Sequence, residues 1–196
     1  MAKMKRTKSE FKPDASRGTL LKTLRLTRQQ QLRLLKWLCY AGVLILAVVI
    51  QDVILSRARI FGATVELVVS LILLITVMEG TEVGSLFVLI VSVLYFYTGT
   101  SPGAYCIGFL TFLGIIMTLL RQMYLNRNRS AIVLCAGVAA IAYELCVFGM
   151  GIFNGLTRWD RLPLFLLAGV YNLLIMIPLY PLICKIGTIG GNTWKE

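Results

Sequence analysis

The chain has 196 residues, 58% of them hydrophobic and 15% charged, with a mean hydropathy of +0.80. Soluble domains carry about one quarter charged residues, so an ordinary soluble domain is excluded, and the long apolar runs point to a membrane as solvent. The formal net charge is +11 and histidine is absent, which excludes histidine triads, HExxH zinc sites and histidine proton relays.

The charge is concentrated at the start. Residues 1–36 hold eleven Lys/Arg against two acids, Glu10 and Asp14; the other 160 residues hold nine against seven. A basic cytoplasmic tail of net charge +9 therefore precedes a body of +2. Leu20, Leu21, Leu24, Leu26, Leu32, Leu34 and Leu35 recur at roughly helical spacing. Lys22, Arg25, Arg28, Arg33 and Lys36 stand among them. The pattern predicts a basic amphipathic helix over 19–36, with those five residues touching anionic inner-leaflet lipid or a partner. The alternative is a solvated tail that only enforces topology. Nucleic acid is not an expected partner, because Phe11 is the tail's one aromatic for stacking. The basic stretch is too long for a cleaved signal peptide, and no small-x-small site follows the first apolar run.

Six apolar segments follow, at Trp37–Leu55, Ala63–Met78, Val83–Tyr97, Ala104–Leu120, Ala131–Phe153 and Leu162–Cys184. The first, fourth, fifth and sixth approach or exceed the ~20 residues that cross a ~30 Å hydrocarbon core. The second and third are shorter, about 23–24 Å as helices. They either cross a thinned bilayer or form a re-entrant hairpin. With both termini inside, sixteen Lys/Arg lie on the inner side and four on the outer, so both ends are expected in the cytoplasm. The expected layout is a tail (1–36), a six-helix membrane domain (37–187) and a short cytoplasmic end (188–196). Ser101-Pro102 is expected to open segment four, Thr81 segment three and Asp160 segment six. Pro178 and Pro181 should free the carbonyls of Leu174 and Ile177 and loosen segment six.

One acid lies deep. Glu144 is near the middle of segment five, where a carboxylate costs on the order of 2.5–3.5 kcal/mol. Asn172, beside Tyr171, lies near the middle of segment six. Antiparallel neighbours would bring the two to similar depth, so a Glu144–Asn172 hydrogen bond is expected, joined by Tyr143 or Tyr171. It is either interhelical glue or part of a ligand or ion site. Glu66, Glu79, Glu82, Gln51 and Asp52 lie at segment ends and are read as interfacial. Cys39, Cys106, Cys135, Cys146 and Cys184 show no CxxC spacing and read as small hydrophobes. No cofactor, metal set or catalytic residue is expected. Small residues four apart make Gly84, Gly108, Ala136 and Ala140 the expected helix-packing positions. Pro178 and Pro181 join that set.

These features resemble the bacterial rod shape-determining MreD family over roughly residues 37–187. The likeness rests on the Ile60-Phe61-Gly62 turn, the Gly84 entry to segment three and the Gly99-Thr100-Ser101-Pro102-Gly103 turn. It rests also on the mid-membrane acid Glu144 and the ending Tyr171-Asn172-Leu173-Leu174-Ile175-Met176-Ile177-Pro178-Leu179-Tyr180-Pro181-Leu182. Val65-Glu66-Leu67 replaces that family's frequent Pro-Asp-Leu, and Tyr95 stands where many members have an acid. The resemblance implies a non-catalytic scaffold that binds an MreC-like protein. It implies links to MreB filaments and a RodA–transpeptidase pair in side-wall peptidoglycan synthesis. It also implies an all-α fold similar to the S-components of vitamin transporters. A second copy of the chain is a further candidate partner. The competing function is an S-component-like small-molecule carrier subunit.

Overall fold

The computed structural model describes residues 28–55, 57, 63–124 and 129–189. Lys22, Arg25, the Ile60-Phe61-Gly62 turn and residues 190–196 lie outside them. Six α-helices and no strand occur among the described residues. They are α1 (Arg28–Ile50), α2 (Leu67–Glu79), α3 (Thr81–Tyr97), α4 (Tyr105–Tyr124), α5 (Arg129–Phe153) and α6 (Leu162–Gly187). A π turn, Gln51–Leu55, extends α1, and a 3-10 turn, Trp159–Arg161, leads into α6. Four stretches are long and apolar enough to cross a membrane: Arg28–Leu55, Tyr105–Met123, Ser130–Phe153 and Trp159–Gly187. Helices α2 and α3 are shorter apolar helices of 13 and 17 residues.

The core is built round α2. Every residue from Leu67 to Met78 is buried, and α2 packs against all five other helices. A helix apolar on every face belongs in an interior, and this one carries only Ser70 and Thr76 as polar residues before its closing acid, Glu79. Both hydroxyls bond back to their own helix, Ser70 to the Glu66 carbonyl at 3.0 Å and Thr76 to the Ile72 carbonyl at 2.6 Å. The surrounding helices turn apolar side chains outward, among them Leu38, Ile45, Leu86, Phe112, Leu134 and Ile177. Such a surface is stable only in lipid or against a partner.

The reversal from α2 to α3 occurs at Gly80, whose φ of +89° favours glycine. Four residues on, a Cβ at Gly84 would collide with the Thr76 carbonyl. Gly84 therefore lets α3 lie directly on the α2 backbone, as its small size predicts. Gly84→Val should force the helices apart and cost about 1–3 kcal/mol, read as a lowered unfolding midpoint in detergent. The α5–α6 seam is close in the same way. Ala136 and Ala140 are fully buried, a Cβ at Gly137 would strike the Leu173 side chain, and one at Gly169 would come within 3.1 Å of the Ile141 Cα.

Three expected features differ. Gly108 faces outward with open space at its Cβ position and packs against no described part of the chain. Pro178 and Pro181 are exposed on α6, which runs unbroken through both. Facing outward, the rings leave the inner side of the helix free to pack, so they are not packing residues for the core. The expected caps are also displaced. Helix α4 starts at Tyr105 rather than Pro102, and neither Gly80 nor Arg161, the residues that precede α3 and α6, provides a side-chain cap.

Long-range bonds fix two polar levels. The start of α2 meets the middle of α6, and its end meets Lys36, Tyr40 and Gly187. From Asn172 to Gly187, α6 rises about 22 Å between those levels. Beyond the first level, the α5–α6 hairpin continues for roughly 14 Å. It carries an aromatic cluster in which Phe148 meets Trp159 and Phe165 at centroid distances of 6.0 and 5.2 Å.

Candidate functional site

A helix leaves its first N–H groups and last carbonyls without partners inside itself. For a helix buried among other helices, water cannot supply them, and each unpaired group costs about 1–3 kcal/mol. Side chains of the neighbouring helices supply them here.

At the N-terminal end of α2, Asn172 is a two-sided connector. Its Oδ1 accepts the Glu66 backbone N–H at 2.9 Å, and its Nδ2 donates to Glu144 Oε1 at 2.9 Å. One amide from α6 therefore ties the entry of α2 to α5. The next free donor, the Val68 N–H, bonds Gln51 Oε1 at 2.9 Å. Asn172 is 0% exposed and Glu144 4%. Asn172 thereby brings the Glu66 backbone and the Glu144 carboxyl to one level. Both carboxylates sit near the end of the helix where its dipole favours negative charge.

Two buried tyrosines line the same place. Tyr95, 2% exposed, and Tyr143, 0% exposed, both lie within electrostatic reach of Glu66. The Tyr95 hydroxyl has Gln51 and Thr100 as its polar neighbours, and Glu66 Oε2 has no hydrogen-bond partner among the described residues. The Cys106 thiol is the near neighbour of Tyr143.

At the C-terminal end the chemistry is cationic. Lys36 Nζ donates to Glu79 Oε2 at 2.6 Å, and the Tyr40 hydroxyl donates to Glu79 Oε1 at 2.7 Å. The ammonium also lies 5.8 Å from the Tyr40 ring centroid. The Arg121 guanidinium donates to the Val77 and Met78 carbonyls, which places positive charge where the helix dipole is negative. Thr81 Oγ1 donates to Gln122 Oε1 at 2.7 Å and ties the start of α3 to α4.

Comparison with family models, curated proteins and solved structures finds no match.

Of the residues picked from sequence, Glu144, Asn172 and Tyr143 lie together, and Tyr171 stands half-buried outside the bonded set. Arg28 and Arg33 are exposed, where lipid or a partner can reach them. Lys36 is not. It is 6% exposed and paired with Glu79, because it stands on the α1 face turned toward the end of α2. Arg28–Lys36 is helical and continues into the first apolar segment. Glu66, Gln51 and Glu79, read as interfacial, instead serve the ends of α2. Among the described residues, no three His, Cys, Asp or Glu side chains converge as a metal set.

Proposed function

We propose that this chain is a non-catalytic membrane scaffold of the bacterial cell-elongation machinery, working in the plasma membrane with an MreC-like partner. The observation that carries this reading is how the deep polar residues are used. Asn172, Glu144 and Gln51 hold the entry of α2 to α5, α6 and α1, which is the work of interhelical support. The likeness to the MreD family in segment order, turns and closing Tyr-Asn…Pro-Leu-Tyr-Pro stretch supplies the biological setting. In that setting the apolar outer faces of the bundle and the exposed Arg28 and Arg33 meet lipid and partner proteins. MreB filaments and the RodA–transpeptidase pair are the further associates.

The reading includes six crossings with both termini inside and a fold similar to the S-components of vitamin transporters. Support for full crossings by α2 and α3 comes from their shared turn at Gly80, which stands at the level of Lys36 and Gly187. A shallow re-entrant hairpin would turn back before that level. A cysteine at exposed Glu82, in a chain whose native cysteines are replaced, should react with an impermeant maleimide only after the inner side is opened. Reaction in intact cells would contradict the topology.

Depletion in the native rod-shaped cell, followed by microscopy, tests the function. Cells should widen and round up before growth stops. Rods that remain rods would contradict the scaffold, and tight retention of a vitamin-sized ligand by the purified protein would favour the carrier.

A further inference from the structure

At the end away from Lys36, the connection between α5 and α6 forms a tip that is both apolar and cationic. Phe153 is 86% exposed, Leu156 79% and Trp159 71%. Arg158 and Arg161 are exposed beside them, with the acid Asp160 between. The backbone that displays these side chains is fixed by hydrogen bonds. The Leu156 and Thr157 N–H groups both donate to the Gly151 carbonyl, at 2.8 and 3.1 Å, and the Asn154 N–H donates to the Met150 carbonyl at 3.0 Å. The Arg161 N–H donates to the Arg158 carbonyl at 3.1 Å, so both arginines leave the same turn. Trp159 stands edge-on against Phe148, with centroids 6.0 Å apart. Three large apolar side chains held outward in this way are stable only when something covers them.

The lengths of the helices place that cover. The Lys36–Glu79 pair and the Arg121 guanidinium mark one edge of the hydrocarbon. The entry of α2 lies about 22 Å from that level, and the α5–α6 hairpin continues roughly 14 Å further. Its tip therefore stands about 36 Å from Lys36, whereas the hydrocarbon core is about 30 Å thick and the bilayer with its headgroups about 40–45 Å. The tip passes the hydrocarbon and stops within the opposite headgroup layer. The side chains suit that layer. Tryptophan is enriched there, and a guanidinium matches a phosphate with paired hydrogen bonds. Two arginines against Asp160 leave the tip with one positive charge, complementary to an anionic lipid.

We propose that the α5–α6 tip is a binding site for an anionic phospholipid in the leaflet opposite Lys36. Arg158 and Arg161 hold the phosphate, and Phe153, Leu156 and Trp159 sit among the glycerol and upper acyl segments. The site anchors the long hairpin at the surface that the shorter α2 entry does not reach. This inference rests on the chain crossing a membrane and not on the scaffold reading.

The test uses the full chain in phosphatidylcholine nanodiscs containing a small fraction of nitroxide-labelled lipid. The chain has three tryptophans, so the emission of Trp159 is taken as the difference between the native chain and Trp159→Phe. A nitroxide high on the acyl chain should quench that emission more than one at the chain terminus. The same upper nitroxide on phosphatidylglycerol should quench more than on phosphatidylcholine. Arg158→Gln and Arg161→Gln should each lower that preference about fivefold. Quenching by aqueous iodide with none by either nitroxide lipid would overturn the site and favour a protein partner in the water beyond. Equal quenching by the two headgroups would overturn it, as would a phosphatidylglycerol preference that survives both arginine substitutions.

Discussion

Asn172→Leu should destabilise the protein by about 2–5 kcal/mol, because it strands two buried groups at once. The Glu66 N–H loses its acceptor and the Glu144 carboxylate loses its donor, each at a 2.9 Å bond in the native chain. Leucine is close to asparagine in size, so the loss is of hydrogen bonding and not of volume. Asn172→Asp separates the two bonds. It keeps an acceptor for Glu66 N–H but brings a carboxylate oxygen to Glu144, so it should also be destabilising. Unfolding midpoints in detergent, read by tryptophan fluorescence, measure both. A midpoint within a degree of the native one for Asn172→Leu would show that α2 does not depend on this cap.

Lys36→Met is the second large effect. The ammonium is buried against Glu79, and removing one partner of a buried pair typically costs about 3–5 kcal/mol, since the other charge remains without compensation. Methionine preserves the length and most of the apolar stem, which isolates the charge. The double variant Lys36→Met, Glu79→Gln should recover much of the loss, because a glutamine oxygen can still accept the Tyr40 hydroxyl. Recovery measured in a double-mutant cycle identifies the pair as coupled. Equal losses in the single and double variants would mean that Lys36 matters for packing alone.

The two predictions act at opposite ends of one element, and that element explains what the sequence could and could not disclose. The helices are close to the six apolar segments because period and composition are local properties. The Glu144–Asn172 pairing was readable too, since adjacent antiparallel helices joined by a short connection place their midpoints side by side. Glu66 and Gln51 were not readable. Each ends an apolar segment, and segment ends normally lie at the membrane surface. What brings them to Asn172 and Val68 is that α2 is short and central, with its entry level with the middle of α6. The sign of this was the composition of Leu67–Met78, apolar on every face, whereas a helix at the rim can leave one side to lipid.

Lys36 misled for a related reason. At the end of a basic tail, a lysine reads as reaching for lipid headgroups, and its partner Glu79 is 43 residues away. Gly108 misled because a small residue every fourth position occurs on any face of a helix, and only packing selects which face meets a neighbour. Gly84 and Gly108 look alike in sequence, yet one lies on the Thr76 backbone and the other opens outward. The prolines of α6 are tolerated on its outward side, where the loosened backbone does not disturb the seam with α5.

These relations give the bundle a physical character. The central helix is pinned at both ends by side chains of its neighbours, and the outer apolar faces of the bundle are left for lipid or a partner. Arg28 and Arg33 add a cationic surface at the exposed start of α1.

Partner capture in the native cell is the direct test of the scaffold proposal. The chain, tagged at its C-terminus and expressed at its normal level, is cross-linked in living cells and purified under denaturing conditions. An MreC-like membrane protein should appear as a reproducible cross-linked product. Efficient recovery of the tagged chain with no such protein attached, in cells that remain rods when the chain is removed, would contradict it.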